Sequence, residues 1–325
     1  MDLSTSYLGL KLRNPIIVGS SKLTSTFENV KKCIDQGAGA IVLKSLFEEQ
    51  LLTDSDRLIE KDAKYFWYPE AIDYISTYSK AYGIREHLDL IKEIKAYSKD
   101  VPVIVSVNCV TNKEWPQFSK HFEDAGADAI ELNISIFPFD TVTESISLED
   151  EYVEIIREVK KNVNLPISVK IGPYFTNPNR IAKRLVKAGA SGIVLFNRFY
   201  RPDINIETQE VVHDNFLSSS QEMTQSLRWV SILSQKLECD LSASTGIHDY
   251  QAVVKQLLAG ASSIQLCSAL YNKGIGYLDT ILFDLQKWMT KNEYASISDF
   301  KGKVASDANN TPAFLRVQYM KRNFD

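Results

Sequence analysis

One short phrase recurs four times along the 325-residue chain, and it constrains the fold more than any other feature. "GAGAIVLKS" (37–45), "AGADAIELN" (125–133), "AGASGIVLFN" (188–197) and "AGASSIQLC" (259–267) each join the end of a helical pattern to an apolar run. The Gly stops the helix, the small residues make a tight turn, and the Ile/Val/Leu run forms a buried strand. Repetition of this kind implies one supersecondary unit used several times. Four further strand-like runs fill the gaps: "NPIIVGSS" (14–21), "PVIVSVN" (102–108), "PISVKIG" (166–172) and "DLSASTG" (240–246). Helical patterns at 26–37, 151–163, 179–189, 226–237 and 275–293 separate most of the eight. Alternating strands and helices give a parallel sheet, and eight units predict a closed (β/α)8 TIM barrel of the α/β class. A doubly wound open sheet is the alternative; the lack of GxGxxG after the first strand counts against it.

Charge and cysteine usage narrow the function. The formal net charge is −4 and no dense Lys/Arg block occurs, so neither nucleic acid nor an anionic membrane surface is expected as partner. No apolar run is long enough to cross a bilayer. Cys33, Cys109, Cys239 and Cys267 are far apart and form no CxxC pair, which argues against a metal centre and a disulfide framework and for a reducing compartment. The opening "MDLSTSYLGLKLRNP" has neither the basic nor the apolar region of a signal peptide. The expectation is a cytoplasmic protein with a single domain over 1–325, acting on a small molecule and holding no metal. Two connections, 47–80 and 198–225, leave the C-terminal ends of strands, where barrels build their sites. The first, with Tyr65, Phe66, Trp67 and Tyr68, reads as a lid or substrate wall, or else as a surface loop or dimer contact. A polar tail, 294–325, is expected to wrap the exterior.

In a barrel strand alternate side chains point inward. That alternation gathers Ser20, Lys44, Asn108, Asn133, Ser135, Lys170 and Asn197 at one mouth. An inward lysine is costly to bury without an acceptor. Lys170 therefore needs either Glu131, in a structural ion pair, or an electron-rich ligand. The seventh and eighth strands run into "STGIHDY" (244–250) and "CSALYNKG" (267–274), turns whose backbone N–H groups lie near helix N-termini and suit phosphate. Lysines and amides on one side and a phosphate site on the other describe a phosphorylated planar cofactor across the mouth.

The stretches "GLKLRNPIIVGSS", "IVLKS", "VSVN", "AIELNIS", "SVKIGPYF", "STGI…DYQAVVKQLLAGASSIQLCSAL" and "SISDFKGK" resemble the FMN-dependent dihydroorotate dehydrogenase family, in the family's order and over nearly the whole chain. The resemblance implies an FMN-binding barrel that passes hydride between a CH–CH bond of a pyrimidine-type substrate and flavin N5. It implies Ser20, Ser21, Lys44 and Ser45 beside the ring edge, and Asn108, Asn133 and Lys170 on the pyrimidine part of the ring or the ribityl chain. Thr245, Gly246, Cys267 and Ser268 would hold the phosphate, and Ser218 and Ser219 lie where many relatives have paired glycines. Lys44, Asn133, Asn197 and Arg198 would face the substrate. A homodimer and a separate electron-transfer subunit are the partners the resemblance suggests.

The departure lies in residues 133–139, "NISIFPF". In the family Asn-x-Ser is followed by a Cys or Ser that acts as general base. Here Ile136 stands there and can accept no proton, and Phe139 stands where an Asn follows the proline. The Asn-rich loop after the second strand has no counterpart in 47–80. Ser135, with Lys44 beside the ring, is the first catalytic candidate; Asp140, Thr141, Thr143 and Tyr174 follow, and His213 is the one histidine to test as an acid. Three readings result: a dihydroorotate-type enzyme; an FMN enzyme for a different activated C=C or CH–CH substrate, using Arg198 and residues 65–68; and a flavin-binding barrel without turnover.

Overall fold

The computed structural model describes residues 1–49, 84–109, 114–136, 140–199, 201–212 and 216–305. Residues 65–68, Phe139 and His213 lie outside them. The chain enters as an antiparallel hairpin, β1 (Thr5–Tyr7) and β2 (Leu10–Leu12), which the sequence reading did not anticipate. Its two-residue turn, Leu8 and Gly9, takes positive φ at both positions, the geometry that matches strand twist in tight hairpins.

All eight expected strands are present and close into a parallel barrel. They are β3 (Ile16–Val18), β4 (Ala40–Phe47), β5 (Val103–Asn108), β6 (Ala129–Asn133), β7 (Ile167–Ile171), β8 (Gly192–Leu195), β11 (Asp240–Ala243) and β12 (Ser263–Leu266), with a second hairpin, β9 (Asp203–Asn205) and β10 (Glu210–Val212), inserted after β8. Almost every barrel residue is buried, because helices cover the outer face and side chains fill the inner one. The glycines of the four repeated phrases, Gly37, Gly126, Gly189 and Gly260, all have φ between 96° and 118°, so the recurrence encodes one left-handed turn used four times.

The N-terminal end of the barrel is plugged. Tyr7, Leu8 and Leu12 of the hairpin pack on Ile17, Ala40, Val42, Ile104 and Ala129, residues at or near the starts of four strands. Asp240 Oδ2 accepts the Leu8 N–H at 2.7 Å and pins the turn in place.

The helix expected over 275–293 is present as Tyr277–Lys291, preceded by a short helix, Ser268–Lys273, with Gly274 at φ of 83° between them. Three other expectations are revised. The helix expected from 151 starts at Ser145, and the one expected over 226–237 spans Met223–Ser234. The connection 198–225 carries β9 and β10, whose strand character was hidden because β9 is exposed on both faces and lacks an apolar alternation. The described part of the tail straps the exterior: Gly302 N donates to Leu257 O, Val304 N to Leu258 O, and Phe300 is fully buried.

Candidate active site

Polar side chains at the strand tips join into three hydrogen-bonded groups. In the first, Ser20 Oγ accepts the Ser45 N–H at 2.9 Å, and the Ser45 hydroxyl pairs with Ser106 Oγ at 2.6 Å. In the second, Asn108 Nδ2 donates to the Asn133 carbonyl at 2.7 Å, and Asn197 Nδ2 donates to Asn133 Oδ1 at 2.8 Å. The third contains Lys170, whose Nζ donates to Gln265 Oε1 at 3.1 Å. Gln265 Nε2 in turn donates to Glu131 Oε2 at 2.5 Å. Lys170 Nζ lies 3.7 Å from Glu131 Oε1, so the ion pair considered as an alternative is present. It does not fill the mouth.

A cavity of about 230 Å³ opens above it, bounded by Ser20, Ser21, Lys170, Asn197, Arg198, Thr245, Gly246, Cys267 and Ser268 among the expected residues. Gln265, Ser218, Ser244, Ile247, Phe216, Leu217 and Tyr271 complete the described wall. Ser45 and Asn133 reach it through Ser20 and Asn197, and Asn108 stands one bond further back. Lys44 is half-buried within the register shift of β4, between Leu43 and Leu46, and its ammonium has no hydrogen bond or ion pair to a described residue.

Beyond β11 the backbone makes a tight turn at the cavity's edge. Thr245 and Gly246 are consecutive left-handed residues, with φ of 73° and 77°. A Cβ at Gly246 would lie 2.2 Å from Met223 N, so the turn runs hard against the first residue of the helix Met223–Ser234. Ser218 is buried here. Its Oγ accepts the Gly246 N–H at 3.1 Å and meets His248 Nε2 at 3.3 Å, and its N–H donates to Ser268 Oγ at 2.9 Å. Of the two adjacent serines, Ser218 lines the cavity, whereas Ser219 is exposed and donates its N–H to Glu222 Oε1 at 2.8 Å. His248 and Gln265 carried no sequence signal. A lone Gln in a buried-strand run and an unpaired His look like any other residue.

Arg198 is tied down. Glu222 Oε2 accepts from Arg198 Nε at 3.0 Å and lies 3.1 Å from Arg201 Nη2. Burial raises the Glu222 carboxyl, but the Ser219 N–H and the two guanidinium groups outweigh it and hold the group below the usual carboxylate value.

The profile of the dihydroorotate dehydrogenase family matches residues 2–289. The chain belongs to the dihydroorotate dehydrogenase family. It is 28% identical over 313 residues to the catalytic subunit of dihydroorotate dehydrogenase B (NAD(+)) of Thermoplasma volcanium, covering 93% of this chain and 98% of that protein. The corresponding subunit of Pyrococcus abyssi is 26% identical over 312 residues, covering 92% and 98%. The PreA subunit of the NAD-dependent dihydropyrimidine dehydrogenase of Escherichia coli is 21% identical over 319 residues, covering 93% and 76%.

Against the family's base position, the chemistry here is spare. Ile136 lines a different cavity, of about 350 Å³, with Leu148, Tyr152, Phe175, Tyr174 and Phe199. Ile136 lies three residues past the end of β6 at Asn133, so the strand's alternation no longer fixes which way it points. Ser135 is half-buried and no described residue hydrogen-bonds its hydroxyl. Asp140 is occupied: Thr143 Oγ1 and the N–H groups of Val142 and Thr143 donate to it and hold its carboxyl below the usual value. Tyr174 is 71% exposed and stacks on Phe199 with ring centroids 5.5 Å apart. Burial pushes the Cys267 thiol upward, only partly offset by Lys170, so this cavity residue is not a thiolate base at neutral pH. No helix among the described residues is long and apolar enough to cross a membrane.

Proposed function

We propose that the chain is an FMN-dependent oxidoreductase acting on a CH–CH bond, with a pyrimidine-type ring as substrate. The observation that carries this reading is the cavity at the strand tips. An ammonium group, hydroxyls and an amide border it on one side, and a left-handed Thr245–Gly246 turn beside a helix N-terminus borders it on the other. The donor set suits the group. Lys170 has three N–H donors and spends one on Gln265, which leaves the others for carbonyl and ring-nitrogen acceptors. Thr245, Gly246, Cys267 and Ser268, backed by Ser218, suit a phosphate. The names of the relatives, dihydroorotate and dihydropyrimidine dehydrogenases, point to the same substrate class.

When bound, FMN supplies a hydride acceptor at N5 and a ring whose pyrimidine edge becomes electron-rich on reduction. The residues do the rest. Lys170 meets that edge with positive charge. Ser20, held by Ser45, fixes the ring on the β3 side. Asn197, locked on Asn133, presents its remaining N–H and its carbonyl toward the substrate. Lys44, whose ammonium has no described partner, is the cation offered to an acidic substituent. Among the described residues none is set to take the substrate's proton, since no described residue hydrogen-bonds Ser135 to act as its base. A positioned base contributes on the order of 10²–10⁴ in rate. Dihydroorotate itself should therefore turn over slowly. A second reading, a different activated CH–CH or C=C substrate that needs no such base, is favoured by Ile136 and the apolar cavity it lines.

In this reading one domain works in the cytoplasm as a homodimer, and the "catalytic subunit" of its relatives' names suggests a separate electron-transfer partner. The test is direct. Purified protein is expected to be yellow and to release FMN on denaturation. Anaerobic bleaching by dihydroorotate, dihydrouracil, NADH and NADPH in turn assigns the substrate. A colourless protein that refuses added FMN overturns the proposal.

A further inference from the structure

Three side chains from three strands meet beneath the cavity, and their spacing is unusual for charges so deeply placed. Glu131 on β6 is fully buried and Lys170 on β7 is 9% exposed. Left to themselves, an ammonium and a carboxylate in an apolar surround close to a direct charge-assisted contact near 2.7–2.9 Å. Here they stay 3.7 Å apart, and Glu131 Oε1 has no hydrogen-bond partner. Gln265 fills the gap, with its Oε1 3.1 Å from Lys170 Nζ and its Nε2 2.5 Å from Glu131 Oε2. The amide's orientation is forced, because an ammonium only donates and a carboxylate only accepts. Strand adjacency does not bring it there: β12 neighbours β11 and β3, so Gln265 reaches across the barrel interior to β6 and β7.

From this spacing we infer that Gln265 and Glu131 are positioning residues for Lys170. The amide keeps the ammonium from closing on the carboxylate and aims it into the cavity, while the carboxylate sets the net charge felt there. The inference deepens the flavin reading and rests on it. With FMN bound, the ammonium raises the reduction potential by favouring the charge gained at the pyrimidine edge, and the carboxylate beneath lowers it. Gln265 governs how much of the ammonium's field reaches the ring.

The experiment uses the full chain loaded with FMN. Flavin content is measured first, and then the midpoint potential by spectral titration against redox dyes. Lys170→Met serves as the reference for loss of the cation and lowers the potential. Gln265→Met, similar in length but without hydrogen-bonding groups, lets Lys170 close on Glu131. The expected fall is in the same direction, at least tenfold in the two-electron equilibrium constant, or about 30 mV. Glu131→Gln keeps the shape and removes the charge, and the potential is expected to rise by a similar amount. In the Glu131→Gln background, Gln265→Met is expected to lose its effect. Opposite signs at full flavin occupancy are not what loosened packing produces. Potentials that do not move, or move in one direction for both variants, overturn the inference while the yellow wild type keeps the flavin reading intact. If Gln265→Met does not fold, Glu131→Gln decides alone: a rise supports the relay, and no change or a fall overturns it. A wild type that takes no FMN overturns the flavin reading and this inference with it.

Discussion

Asn197 and Asn133 are joined by a 2.8 Å bond from Nδ2 of the first to Oδ1 of the second, across the tips of β8 and β6. The two strands are separated by β7, so the bond bridges over Lys170's strand and braces the mouth above it. Replacing Asn197 by Leu leaves a half-buried amide oxygen unpaired. The expected cost is about 1–3 kcal/mol of stability, read in a denaturant melt of the apoprotein, with weaker substrate binding in the holoenzyme.

Ser218 lines the cavity and Ser219 is exposed beside it, so the two test where the proposed phosphate end lies. Ser218→Ala removes the acceptor of the Gly246 N–H and the partner of His248. One lost hydrogen bond of this kind is worth about 0.5–1.5 kcal/mol, so FMN should bind roughly 2–12 times more weakly by fluorescence titration. Ser219→Ala keeps the N–H that Glu222 accepts and should leave FMN affinity unchanged. Equal effects from the two would move the phosphate end away from Ser218.

Gly246 tolerates no side chain. Its left-handed φ alone costs a non-glycine residue about 1–3 kcal/mol, and the added Cβ meets backbone that cannot rotate aside. Gly246→Ala should lower the thermal midpoint and abolish FMN retention on gel filtration.

Acid should loosen the site through Glu222. Its folded-state value is held down, so the stabilisation it gives is fully present above the ordinary glutamate range near pH 4.3 and fades as pH falls through the lower folded value. Thermal melts of wild type and Glu222→Gln should differ most at neutral pH and converge in acid. A gap that stays constant with pH would show that Arg198 and Arg201 do not depend on this charge.

Position 136 should not supply the base that the resemblance calls for. Its side chain lines the cavity with Tyr152 and Phe175 and does not border the polar mouth. Ile136→Cys is expected to change dihydroorotate turnover less than tenfold, measured with the flavin fully bound. A gain of a hundredfold or more would show that the side chain reaches the reacting carbon.

The barrel was legible because its signals are periodic. Four copies of a Gly-ended helix followed by an apolar run, with four intervening runs, locate every strand within a few residues. The polar mouth was legible for the same reason, since alternation tells which residues of a strand share a face: Ser20, Lys170 and Asn197 were found this way, whereas Thr245 and Cys267 came from the turns that follow the last two strands and from the resemblance. Lys170 and Glu131 were recognised on neighbouring strands, but either a pair or a ligand could have answered the lysine. The structure shows the pair, with Gln265 between its members, and leaves an open cavity beside the lysine. That residue was invisible because its role depends on reaching across the barrel, a distance that no local pattern records. The hairpin β9–β10 escaped because exposed strands lack the apolar alternation that marks a buried one.

The hairpin of residues 5–12, seated in the opposite end of the barrel, has a kinetic consequence. If the proposed flavin lies across the opposite mouth, the packed hairpin leaves the strand tips as its approach among the described residues, and two small molecules that exchange electrons through it would take turns there. Double-reciprocal plots at several fixed concentrations of the second reactant should then run parallel.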